Sequence, residues 1–201
     1  MRAYLLATFS LIALGTCQAQ WQPRFKAALM AGANASQIDG DNLAGYHKWG
    51  FNGGGRVYMM LNDNLSVSLE LLYAQKGSRS TKYEVDPDST VRVTLNYAEI
   101  PIMFNYHDQD RAIFGVGVSY ARTLNYRYEK GGLNTTDVSP PILNRDINFV
   151  ADVTFIVRKR FGVNLRYNYS LAPIGYNQYS KLKNHEMLNG VVCLRVMYFF
   201  N

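Results

Sequence analysis

The chain has 201 residues and a formal charge of +6, and its basic residues are spread over many segments without the stripe that a nucleic-acid binder concentrates. Beyond residue 20 no apolar run approaches the roughly 20 residues that a membrane helix needs. No repeat, low-complexity tract or linker divides the sequence, so the composition argues against a nucleic-acid partner, a helical membrane protein and a second domain.

Met1 and Arg2 supply a positive start, residues 4–15 form a short apolar run, and Cys17-Gln18-Ala19 ends on a small residue before Gln20. That pattern predicts a cleaved export signal over 1–19 and a mature domain over 20–201. A lipoprotein signal ending at Cys17 is the rival reading, disfavoured by Thr16 where such signals carry a smaller residue. An uncleaved anchor is disfavoured by the shortness of the run. Loss of the signal leaves Cys193 without a second cysteine, so stability in an oxidising compartment must come from something other than an intrachain disulfide.

Eight strands are expected, over 24–36, 50–61, 65–76, 91–106, 112–126, 148–157, 161–171 and 188–200. Each is near or above the ~9–11 residues of a tilted membrane strand. The clearest is 161–171, where Phe161, Val163, Leu165, Tyr167, Tyr169 and Leu171 alternate with Gly162, Asn164, Arg166, Asn168 and Ser170. A soluble strand would set its apolar face against many Lys and Glu on the other; here the other face is Gly, Ser, Ala and Asn with isolated charges. Such a face suits a crowded polar interior, so the apolar face points to lipid and the fold class is all-β, an eight-stranded antiparallel up-and-down transmembrane β-barrel. A soluble lipid-binding cup of lipocalin type needs the opposite distribution. Short connections at 62–64, 107–111 and 158–160 alternate with long ones at 37–49, 77–90, 127–147 and 172–187, the pattern of periplasmic turns and outer loops. The expected location is the outer membrane. The aromatics Tyr120, Tyr126, Tyr128, Tyr167, Tyr169, Tyr198, Phe199 and Phe200 fall towards strand ends, as interfacial girdles do.

The fourth strand carries an irregularity. Val91, Val93, Leu95 and Tyr97 share one parity, whereas Ile100, Ile102, Phe104 and Tyr106 share the other. With the apolar face to lipid, this predicts a β-bulge at Ala98-Glu99 that leaves both inward and accommodates Pro101. The inward face then collects Lys26, Arg56, Glu70, Lys76, Arg92, Glu99, Asp152, Arg166 and Arg195. An ion or proton pathway is one reading of these charges. An ion-paired plug is the favoured one, because eight strands leave an interior only wide enough for side chains.

Asn34-Ala-Ser-Gln-Ile-Asp-Gly40 followed by Gly45-Tyr-His-Lys-Trp-Gly50, then Glu70-Leu-Leu-Tyr-Ala-Gln-Lys-Gly77, then Tyr97-Ala-Glu-Ile-Pro101, resembles the PorT-like small outer-membrane β-barrels of Bacteroidota. The resemblance spans essentially the whole mature chain. It implies an eight-stranded barrel, often labelled porin-like, some of whose members assist protein secretion across the outer membrane. The last strand resembles the C-terminal signal read by the barrel-assembly machinery, with Asn201 as a departure after the terminal aromatic pair. Asp88-Ser89-Thr90 resembles a bacteroidal O-glycosylation site.

No catalytic, metal or cofactor site is expected. A hydroxyl nucleophile needs a His and an acidic partner beside it, and His107 lies in a short turn far from His47 and His185, with no adjacent His-Ser pair on a strand. The pair His47 and His185 lacks a third ligand at recognisable spacing. Gly53-Gly54-Gly55 lacks the Lys and helix of a P-loop. Two function classes stay open: a non-enzymatic envelope or secretion-accessory protein acting through its outer loops, and a passive pore for small solutes. Expected partners are outer-membrane lipid and lipopolysaccharide, the assembly machinery, and a secretion-complex or surface protein, but no nucleic acid.

Overall fold

A computed structural model describes residues 24–41, 43, 45–80, 90–109, 111–131, 133–134, 142–177 and 185–200. The export signal expected over 1–19, Asn201 and the Asp88-Ser89 pair lie outside the described residues. The strands are β1 (Arg24–Asp39), β2 (Lys48–Met60), β3 (Leu65–Arg79), β4 (Val91–Asp108), β5 (Ala112–Lys130), β6 (Leu133–Asn134), β7 (Arg145–Arg158), β8 (Phe161–Ser170), β9 (Gly175–Asn177) and β10 (His185–Phe200). Every pairing is antiparallel, in the order β1-β2-β3-β4-β5-β7-β8-β10, and β1 pairs with β10 from Ala27↔Phe200 to Asp39↔Leu188. That last ladder closes the sheet, so the eight long strands form a barrel with no free edge, as expected. The short strands β6 and β9 extend hairpins with β5 and β10 at the outer end.

Period two is obeyed through the middle of the wall. On β8 the pattern alternates from exposed Phe161 to buried Ser170, and Leu69, Phe104, Val116, Phe155, Leu165 and Leu194 all stand exposed on the outside. A contiguous apolar surface of this kind is untenable in water and is what a barrel offers to lipid.

The longest strand, β5, has 19 residues, about twice what a bilayer crossing needs, so the wall continues beyond the apolar band on the side of the long loops. There the inside-outside rule reverses. Val93, Leu95 and Tyr97 are buried inside, on the same parity as Glu99, and β4 keeps one unbroken parity from Val93 to Asn105. The expected bulge at Ala98-Glu99 is therefore corrected: Glu99 faces inward in an ordinary register, and Ala98 takes the outward parity. The irregularity lies across the ladder, where Asn96↔Asn125 is followed by Tyr97↔Thr123 and Leu124 is the extra residue on β5. Beyond it Tyr126 and Tyr128 turn inward and pack on Val93, Leu95, Tyr97, Ile38, Ile174 and Met187. These two tyrosines are not girdle residues, and neither is Phe199, which packs inward with Tyr58 and Met197.

Candidate functional site

The lumen is filled in layers. In its middle, Arg56 from β2, Glu70 from β3, Asp152 from β7, Arg166 from β8 and Arg195 from β10 converge with essentially no side-chain exposure. Each occupies an inward position of its strand, and register brings Arg56 opposite Glu70 and Asp152 opposite Arg166. Arg166 Nη2 lies 2.5 Å from Glu70 Oε1 and 2.7 Å from Asp152 Oδ2. Arg56 contacts the same two carboxylates at 3.1 and 3.3 Å, and Arg195 does so at 3.7 and 3.5 Å. Neutral side chains take up other donors: Arg56 Nε donates to Ser68 Oγ at 3.0 Å, Arg56 also donates to Asn105, and Arg195 Nε donates to Asn164 Oδ1 at 2.9 Å.

Three guanidinium groups against two carboxylates leave this cluster with one excess positive charge. A second cluster towards the outer end has the opposite imbalance. Lys76 Nζ lies 3.1 Å from Glu99 Oε2 and 3.5 Å from Asp146 Oδ2. Glu99 accepts from Ser119 at 2.7 Å and from Asn168 at 3.3 Å, and Asp146 accepts from Ser170 at 2.7 Å and from Asn189 at 2.9 Å. Together the two clusters balance, which is how so many charges are tolerated in a closed interior.

Of the residues expected inside, Arg56, Glu70, Lys76, Glu99, Asp152, Arg166 and Arg195 occupy these clusters. Arg92 does not, and that expectation is corrected. Its side chain is 44% exposed on the outward parity of β4, 3.7 Å from Glu129. The sequence pattern puts it inside because Val93 and Leu95, apolar and of the opposite parity, read there as lipid-facing. Lys26 keeps the inward parity but stands exposed at the periplasmic mouth. Asp146 was missed because the strand was begun at Asn148; it shares parity with Asp152, and extending the strand by two residues would have found it.

Apolar layers lie on both sides of the ionic ones. On the periplasmic side Ala28, Met30, Tyr58, Leu72 and Met197 form one cluster, with Phe199 packed against it. Below them a cavity of about 90 Å³ opens at the mouth, lined by Lys26, Tyr58, His107, Ile113, Lys159 and Phe199 among others. On the outer side Leu95 and Tyr97 lie in a second apolar cluster inside the barrel, and Ile174 is drawn into it by backbone bonds from Ile174 to Met187 and from Leu143 to Ile174.

The structure brings together one pair that sequence spacing had not suggested. Ser66 Oγ lies 2.7 Å from His107 Nε2. Ser66 is fully buried. The pair ties β3 to β4 at the periplasmic end, where His107 N also donates to Asn64 O at 2.7 Å. His47 is exposed in the first outer loop. Among the described residues no group of three His, Cys, Asp or Glu could hold a metal ion.

Residues 18–175 match the model of a family described as outer membrane protein beta-barrel domain. The chain belongs to that family. Its outer-membrane location follows from the family and from the lipid-facing wall. No curated protein sequence matches the chain. Among solved structures it is similar to Ail, the attachment invasion locus protein of Yersinia pestis, at 15% identity with a TM-score of 0.54, covering 87% of this chain and 98% of that one. A second Ail structure, in complex with the heparin analogue sucrose octasulfate, aligns at 11% identity with a TM-score of 0.52 over 88% of this chain and 99% of that one. Neisserial surface protein A aligns at 12% identity with a TM-score of 0.50 over 88% and 96%. At such identities the likeness shows the fold alone.

Proposed function

We propose that this member of the family is a non-enzymatic outer-membrane protein that acts by binding, through its outer loops, and that its interior is a structural plug. The observation that carries the reading is the layered lumen, in which two ionic clusters of buried, mutually paired side chains lie between apolar layers. Recognition is then left to the long outer loops, because binding residues are disproportionately carried on loops held by a rigid scaffold. The PorT-like motifs add a finer reading, in which a secretion-complex component or surface protein is the partner. Cleavage of residues 1–19 and insertion by the barrel-assembly machinery belong to the same proposal.

The test has two parts. Purified protein in planar bilayers should show no stable conductance, whereas steady ion-selective currents would replace this proposal with a passive pore. Crosslinking in intact outer membranes should join a partner to the wild-type protein. Deletion within 131–144 should abolish that crosslink while the barrel still shifts in gel mobility on boiling. An unchanged crosslink would remove the loop from the proposal.

A further inference from the structure

On β7 the outward positions run Val157, Phe155, Val153, Ala151, Phe149 and Ile147 before reaching Arg145; on β5 they run Phe114, Val116, Val118 and Tyr120 before reaching Arg122. Both arginines therefore sit one step beyond the outer edge of the apolar band. They are also directly opposite each other in the β5–β7 ladder, and both are exposed. Side chains so placed have Cβ atoms about 4.5–5.5 Å apart, and like charges in that relation destabilise a sheet.

Neither Arg122 nor Arg145 forms a salt bridge with a described residue; the acidic neighbour Asp146 points the other way, to Lys76. The outward neighbours along the two strands are instead apolar and exposed: Tyr120 and Leu124 beside Arg122, Ile147 and Leu143 beside Arg145. Two guanidinium forks over a lipid-facing wall, at the depth of the headgroups, make a receptor for an anion that is itself attached to acyl chains. Arg binds phosphate through paired N–H donors, and one phosphate between the two forks would offset their repulsion.

We propose that Arg122 and Arg145 form a binding site for the phosphate of a phosphorylated glycolipid in the outer leaflet, with its acyl chains along Tyr120, Ile147 and the band below. A glycolipid is favoured over a soluble polyanion because the flanking side chains are apolar, and over an inner-leaflet phospholipid because the pair lies at the long-loop end. The site is on the lipid-facing wall and not on the loops, so it stands or falls separately from the proposed loop binding.

The test is native mass spectrometry of the detergent-purified full chain with lipid A, its dephosphorylated form, phosphatidylglycerol and inorganic pyrophosphate as probes. Lipid A should bind the wild-type protein, and Arg122→Gln with Arg145→Gln should weaken it at least tenfold. Arg79→Gln with Arg92→Gln, a second opposed pair further from the band, should change it less than twofold. Arg122→Lys with Arg145→Lys keeps the charge without the fork and should fall between, which keeps the test decisive if the Gln variant does not fold. Dephosphorylated lipid A should bind the wild-type protein no better than lipid A binds the Gln variant. Equal binding to wild type and Gln variant would overturn the site. Full competition by pyrophosphate, or equal binding of phosphatidylglycerol, would overturn the glycolipid assignment.

Discussion

Arg166 is the residue on which the lower cluster turns, because one Nη2 serves both Glu70 and Asp152 while Arg56 and Arg195 approach the same carboxylates from the sides. Its removal leaves both carboxylates to the longer contacts from Arg56 and Arg195 and leaves the two clusters together with one uncompensated negative charge; breaking a buried pair in this way costs about 3–5 kcal/mol. Arg166→Ala should therefore lower the denaturant midpoint of the folded barrel markedly, whereas Arg92→Ala, outside the cluster and 44% exposed, should change it little. A different residue sets a pH dependence in the first outer loop. Burial raises the Asp41 carboxyl to about 6, while Asp41 Oδ1 accepts from the Leu43 amide at 2.8 Å. The folded value lies above the ordinary carboxylate value of ~3.9, so the linked stability is fully present below about pH 4 and is lost as pH rises through about 6. Hydrogen exchange at Leu43, corrected for its intrinsic rate, should quicken between pH 4 and pH 7 in the wild-type protein. In Asp41→Asn it should stay level; the same quickening in that variant would remove Asp41 as the cause.

At the scale of the strands, Gly54 shows how closely β2 and β3 approach on the inside of the wall. A Cβ there would lie 2.0 Å from Leu71 O and 2.9 Å from Leu72 Cδ2, and the first contact is backbone, which cannot swing aside. Gly54→Ala should force the β2–β3 ladder apart and lower the fraction of protein that runs as a compact species before boiling, with Gly55→Ala as the control because its nearest contacts are 3.9 Å or more away. The parity of β8 could be read from sequence because that strand lies wholly within the apolar band, where one rule assigns its faces. The outer halves of β4 and β5 obey the reverse rule, with apolar side chains inside and polar ones outside. Val93, Leu95, Tyr97, Tyr126 and Tyr128 were accordingly assigned to the wrong face, and Arg92 was carried inside with them. The extra residue Leu124 is defined only by its partner strand, so no pattern within β5 alone could reveal it. Asp146 was legible in principle, hidden only by a strand start set two residues too late.

For the whole molecule, the proposed plug implies that closure of the lumen is redundant. The periplasmic apolar layer, the two ionic clusters and the outer apolar cluster lie in series along one axis, and a path through several barriers in series is governed by the least permeable of them. An eight-stranded barrel leaves little room beside its own side chains, so under that proposal each layer is expected to block the lumen by itself. Opening one layer should therefore leave the protein non-conducting. Arg166→Ala should weaken the fold without creating a channel, and Leu95→Ser with Tyr97→Ser, which breaches the outer layer, should also carry no current. Adding Met30→Ser and Met197→Ser to those three changes removes the inner apolar layer as well and should yield measurable conductance across planar bilayers, provided gel mobility before boiling shows that the barrel remains closed. Current from Leu95→Ser with Tyr97→Ser alone would mean that the ionic clusters are permeable, and the outer cluster would then be a gate over a hydrated pore. Persistent silence of the combined variant would mean instead that the paired arginines and carboxylates that remain are a sufficient seal, with the apolar layers serving only to exclude water from them.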